Sequence, residues 1–126
     1  MEGTLVNAPA PLSILVVDDD RLVRAAMVRT LKRMPGTTVH DYPDGPTALE
    51  SLEGKAIDVA VLDLTMPGMD GVELATHLRA RMPELRIVFV SADPHGDLAQ
   101  RARLISPGGV LAKPWAPDEL LRLLRP

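Results

Sequence analysis

The stretch ILVVDDD, residues 14–20, runs four apolar residues straight into Asp18, Asp19 and Asp20. An unbroken apolar, β-branched run of this length reads as a strand covered on both faces, as in a parallel sheet. Neighbouring carboxylates repel one another, so three of them at the tip of a buried strand require a cation or a raised pKa.

The same kind of run recurs along the chain. Strands are expected at 13–17 (β1, SILVV), 37–42 (β2, TTVHDY), 58–62 (β3, DVAVL), 86–90 (β4, RIVFV) and 108–112 (β5, GGVLA). Between and after them lie segments of helical period, at 21–34 (α1), 45–54 (α2), 70–82 (α3), 95–105 (α4) and 116–125 (α5). In α1 the period places Leu22, Val23, Ala26, Met27, Thr30 and Leu31 on one side, with Arg24, Arg29, Lys32 and Arg33 mostly off it. α5 opens on Pro117, Asp118 and Glu119, good first-turn chemistry. Strands alternating with helices predict an α/β fold, a doubly wound parallel sheet joined by right-handed crossovers. Ligands in such sheets sit at the carboxyl ends of the strands.

Composition narrows the function. The 126 residues are 46% hydrophobic and 25% charged, with a net charge of −3, which suits one globular domain. Nothing here is basic enough to call for direct nucleic acid binding, and three aromatics (Tyr42, Phe89, Trp115) make no stacking platform. With no cysteine, disulfides, thiolate nucleophiles and zinc–thiolate sites are excluded. The first residues lack the basic start and apolar core of a signal peptide, and no apolar run approaches the ~20 residues of a membrane span. The expectation is a soluble protein of the cytoplasm, with a loose leader over 1–11 and the domain over 12–126.

The strand ends hold the chemistry. β1 ends in Asp18, Asp19 and Asp20; β3 is followed by Asp63; β4 by Ser91, Ala92 and Asp93; β5 by Lys113. An all-oxygen acidic set suits a hard ion such as Mg²⁺, which takes one or two carboxylates together with water and phosphate. A lysine supplies a point charge for a phosphoryl oxygen, and an aspartate can be phosphorylated. The implied chemistry is metal-assisted phosphoryl transfer.

At these residues the chain resembles the receiver domains of two-component response regulators, from about residue 13 to 124. The motifs carrying the resemblance are the Asp-Asp pair after β1, LDLTMPGMDG after β3, Ser-Ala after β4 and Lys-Pro after β5. The resemblance implies a flavodoxin-like (βα)₅ fold with strand order 2-1-3-4-5. It implies that Asp63 accepts a phosphoryl group from a sensor histidine kinase or a phosphotransfer protein. Asp19 would then ligate Mg²⁺ directly, Asp18 mainly through water, and Thr65 through its backbone carbonyl. Lys113 would pair with Asp63 and then with the phosphoryl group, Ser91 and Ala92 would form the switch, and Lys113–Pro114 would be cis. One position departs from the family pattern: Val110 stands where a switch aromatic is common, so the signal would rest on Ser91 and the loop from Asp93 to Gly96. The output is expected to be a change in the α4–β5–α5 face, with a homodimer through it as a hypothesis. Stand-alone action and joining to an unknown output domain or target are both compatible with the resemblance. Apart from self-phosphorylation and autodephosphorylation, no enzymatic activity is expected.

The same residues also admit blander and rival readings. Asp20 and Asp70 read as helix caps. His40, His77 and His95 have no ligand spacing, and Trp115 reads as a cover for α5. A Rossmann-type nucleotide binder would need a phosphate loop after β1, where three acids stand. A haloacid-dehalogenase-type phosphatase needs a second Asp at the position of Thr65. The remaining alternative is a pseudo-receiver acting only as an interaction module.

Overall fold

A computed structural model describes residues 11–125; the leader expected over 1–11 therefore lies, Pro11 excepted, outside the described residues. Chain order is β1 (Ser13–Val17), α1 (Arg21–Leu31), β2 (Thr38–Tyr42), α2 (Gly45–Ser51), β3 (Val59–Asp63), α3 (Gly71–Arg81), β4 (Arg86–Ser91), α4 (Asp97–Ile105), β5 (Val110–Ala112) and α5 (Pro117–Leu124). The strands form one parallel sheet in the order β2-β1-β3-β4-β5, the flavodoxin-like topology.

Alternate residues of each central strand feed opposite faces. Leu15, Val17, Ala60, Leu62, Ile87 and Phe89 pack with α2, α3 and α4 through residues such as Ala48, Leu74, Leu78 and Ala102. Ile14, Val16, Val59, Val61, Val88 and Val90 pack with α1 and α5 through Met27, Leu31, Leu120 and Leu124. This two-sided burial explains why the strands read as continuous apolar runs. Each of the Val, Leu, Ile, Met and Phe side chains among these contributes roughly 1.5–3 kcal/mol of transfer free energy.

Several elements differ from expectation. β3 and β4 each run one residue further, so Asp63 and Ser91 are themselves ladder residues, opposite Val90 and Ala112. β5 begins at Val110 rather than 108, because the Gly109 amide closes a turn onto the Ser106 carbonyl at 3.0 Å. In α1 the buried residues are Met27, Thr30 and Leu31, whereas Leu22 is 75% exposed. Leu22 is only the second residue of the helix, and its side chain finds no cover there.

The helix starts follow capping chemistry. The Asp20 carboxylate accepts the Leu22 and Val23 amides at 2.9 and 3.1 Å. Asp70 and Glu73 form a reciprocal capping box on α3. The Glu119 carboxylate accepts the Ala116 amide at 2.9 Å at the start of α5. None of the helices among the described residues is long and apolar enough to cross a membrane.

Candidate functional site

Parallel strands all end on one edge, and that edge gathers the expected residues. Asp18 is fully buried at the end of β1 and Asp63 is 4% exposed at the end of β3. Carboxylate oxygens of Asp18, Asp19 and Asp63 lie within 4.8 Å of one another, a spacing that could hold a metal ion. Lys113 follows β5 directly, and its Nζ lies 3.1 Å from Asp63 Oδ1 and 3.3 Å from Asp18 Oδ2.

The two contacts of Lys113 differ in kind. That to Asp63 is a directed hydrogen bond, while Asp18 Oδ2 is buried and has no aligned donor. The ammonium therefore acts on Asp18 as a nearby charge. The other oxygen of Asp18, Oδ1, accepts the Asp20 amide at 2.8 Å. A buried carboxylate oxygen left without a donor is costly unless a cation meets it.

Electrostatics follow from this crowding. Burial, reinforced by the charge of Asp18 and only partly offset by Lys113, pushes the Asp63 carboxyl up to about 6. Burial opposes the charge on Lys113, but Asp18 and Asp63 together outweigh it and raise its pKa above the usual lysine value. Three acids and one ammonium leave the metal-free cluster with surplus negative charge.

The surrounding backbone is tightly tied. The Lys113 amide donates to the Ser91 carbonyl at 2.8 Å, joining the ends of β4 and β5, and the Lys113–Pro114 peptide is cis. Ser91 is 4% exposed and its Oγ accepts the Asp93 amide at 3.0 Å. Ala92 and Thr65 are exposed, Thr65 lying two residues past Asp63. Val110 is half-buried against the face that carries α2, α3 and α4. The loop after β3 turns at Gly68, with φ at 77°, and returns so closely at Gly71 that a Cβ there would sit 2.5 Å from the Asp63 carbonyl oxygen.

Sequence reasoning overlooked Arg24. Its guanidinium donates to the Asp18 carbonyl at 2.6 Å and pairs with Asp41 at 3.1 Å. The helical period marks Arg24 only as lying off the apolar side, so no local signal points to this contact.

Fold and acidic site together define a receiver, and the comparisons agree. The model of the response regulator receiver domain matches residues 14–125. The chain belongs to this family, the receiver domains of two-component systems. The C4-dicarboxylate transport transcriptional regulatory protein DctD of Rhizobium meliloti (strain 1021) is 35% identical over 115 residues, covering 90% of this chain and 24% of that protein. Response regulator MprA of Mycobacterium sp. (strain KMS) is 37% identical over 117 residues, covering 91% of this chain and 50% of that protein. The chain thus spans between about a quarter and a half of these curated relatives. Among solved structures, Vibrio cholerae chemotaxis protein CheY4 superposes with a TM-score of 0.81 at 28% identity, over 91% of this chain and 97% of that one.

Proposed function

We propose that the domain, residues 12–126, is a phosphorylation-controlled switch whose phosphoacceptor is Asp63. The observation that carries this reading is the convergence of Asp18, Asp19 and Asp63 within 4.8 Å, with Lys113 Nζ 3.1 Å from the acceptor. A carboxylate oxygen of Asp63 would attack the phosphorus of a phosphohistidine on a sensor kinase or phosphotransfer protein. The new O–P bond replaces the P–N bond, and the imidazole leaves.

The residues present fit a hard divalent cation, because the donors are all oxygen and Asp18 Oδ2 is buried without a hydrogen-bond donor. Asp19 and Asp63 would hold Mg²⁺ directly, with the Thr65 carbonyl, and Asp18 mainly through water. When bound, Mg²⁺ would neutralise charge on the transferring phosphoryl oxygens. Lys113 would exchange its bond to Asp63 for one to a phosphoryl oxygen. Ser91 would turn toward the same group, with the Ala92 backbone beside it.

Movement of Ser91 releases the Asp93 amide, and this couples the site to the loop before α4. The α4–β5–α5 face would shift between two populations, with Val110 too small to act as an aromatic lever. A homodimer through that face, an output domain or target protein, and a cytoplasmic location complete the proposal. Catalysis would be limited to self-phosphorylation and autodephosphorylation, with no direct role in nucleic acid or membrane binding.

The test is incubation with Mg²⁺ and acetyl phosphate, followed by intact-protein mass spectrometry. Wild type should gain one phosphoryl group and Asp63→Asn none. An unmodified wild type would favour a phosphorylation-independent interaction module, and equal modification of both proteins would place the acceptor elsewhere.

A further inference from the structure

Arg24 is the second cation at the acid loop, and the chemistry proposed above leaves it unused. Its Nη1 donates to the Asp18 carbonyl oxygen at 2.6 Å, and its Nε to Asp41 Oδ2 at 3.1 Å. The Arg24 side chain is 15% exposed and that of Asp41 44%. An ion pair this open to water adds little stability. Its placement is more informative than its strength.

Asp41 is the penultimate residue of β2, in register with Val16 of β1. The next residue, Tyr42, accepts the Asp18 amide through its carbonyl at 3.3 Å. Both backbone polar groups of Asp18 are therefore tied to the end of β2, the amide directly and the carbonyl through the Arg24 fork. A planar guanidinium can hold two acceptors at a set separation, which an ammonium on a flexible stem cannot do.

Resting on the receiver reading, we infer that Arg24 is a positioning residue for the acidic pair. Holding the Asp18 carbonyl to the end of β2 sets the direction in which the Asp18 and Asp19 carboxylates meet Asp63. Arg24 thereby sets the affinity of the site for a divalent cation. Asp41 orients the guanidinium and compensates its charge.

Removing the guanidinium has two effects of opposite sign. Loss of a positive charge near a cation site tightens binding, whereas a loosened acid loop weakens it. Partners that orient metal ligands typically change affinity by about 10–100-fold. The positioning role therefore predicts weaker binding even though a repelling charge has been deleted.

The experiment is calorimetric titration of the unphosphorylated full chain with MgCl₂, together with urea unfolding without metal. The proteins compared are wild type, Arg24→Gln, Arg24→Lys and Asp41→Asn. Arg24→Gln should bind Mg²⁺ about tenfold more weakly, with its urea midpoint close to wild type. Arg24→Lys should recover part of the loss, and Asp41→Asn should lose less, because the bond to the Asp18 carbonyl remains. Equal or tighter binding by Arg24→Gln overturns the inference, as does full recovery in Arg24→Lys. Should Arg24→Gln fail to fold, Arg24→Lys, which keeps the charge and loses only the planar fork, decides: weaker binding supports the role and wild-type binding overturns it. A wild type that binds no Mg²⁺ overturns the metal-dependent reading as well, whereas normal wild-type binding with no effect in the variants overturns only the role of Arg24.

Discussion

Lys113 Nζ lies between two buried acids, 3.1 Å from Asp63 Oδ1 and 3.3 Å from Asp18 Oδ2, and hydrogen-bonds only to Asp63. It is the one ammonium in contact with this acid cluster among the described residues. Truncation leaves two carboxylates facing each other without compensation. Breaking a fully buried pair costs about 3–5 kcal/mol, and the Lys113 side chain keeps 21% of its surface exposed. Lys113→Ala should therefore destabilise the metal-free protein by roughly 2 kcal/mol. Added Mg²⁺ should stabilise the variant more than wild type, because the cation takes over the compensation. Urea unfolding with and without Mg²⁺ checks both points; equal stabilisation would show that the lysine does not offset the acids.

The raised pKa of Asp63 makes metal-free stability depend on pH in a defined direction. Its folded value, about 6, lies above the ordinary 3.8, so the fold favours the protonated acid. That contribution is fully present below about pH 3.8 and is lost as pH rises through about 6. Asp63→Asn removes the titration. In EDTA, the gain of the variant over wild type should be larger at pH 7.5 than at pH 5 by on the order of 1 kcal/mol, roughly 4 °C in Tm. A gap between the two proteins that is the same at both pH values would show that Asp63 does not titrate in this interval.

The topology and the acid cluster were legible for one reason. A parallel sheet sends every strand end to the same edge, so Asp18, Asp63, Ser91 and Lys113 could be grouped without knowing a distance. The contact between Arg24 and Asp41 was not legible, because it joins a helix to a strand 17 residues away and neither residue breaks its local pattern. Leu22 was misassigned because a period of 3.6 identifies a face but not how far along the helix that face stays covered. Asp63 and Ser91 lie one residue beyond the apolar runs that mark β3 and β4 in the sequence, yet both are ladder residues. Their backbones continue the pairing whatever their side chains do.

Gly71 is needed for space rather than for its φ. A Cβ at this position would lie 2.5 Å from the Asp63 carbonyl oxygen and 2.9 Å from Leu64 Cα. Both are backbone atoms, so no side chain can turn aside. Gly71→Ala should cost about 1–3 kcal/mol, as overpacking does. It should also displace the acceptor, weakening Mg²⁺ binding. Gly54→Ala is the comparison: it also costs stability, through its positive φ of 78°, but it leaves Mg²⁺ affinity alone. Equal Mg²⁺ affinity in both variants would show that the Gly71 backbone does not set the position of Asp63.

Ser91 Oγ accepts the Asp93 amide at 3.0 Å, which supplies a local reporter for the proposed switch. If the hydroxyl turns toward a phosphoryl group, that amide loses its acceptor. Binding of beryllofluoride and Mg²⁺ should then speed amide exchange at Asp93 by about fivefold, the equivalent of roughly 1 kcal/mol for one lost hydrogen bond. Ser91→Ala lacks the acceptor from the outset, so its Asp93 amide should exchange fast in both states and respond little to the analogue. Residue-resolved exchange by NMR separates the cases. Unchanged protection at Asp93 in beryllofluoride-bound wild type would show that Ser91 keeps its bond, and the signal would have to leave the site by another route.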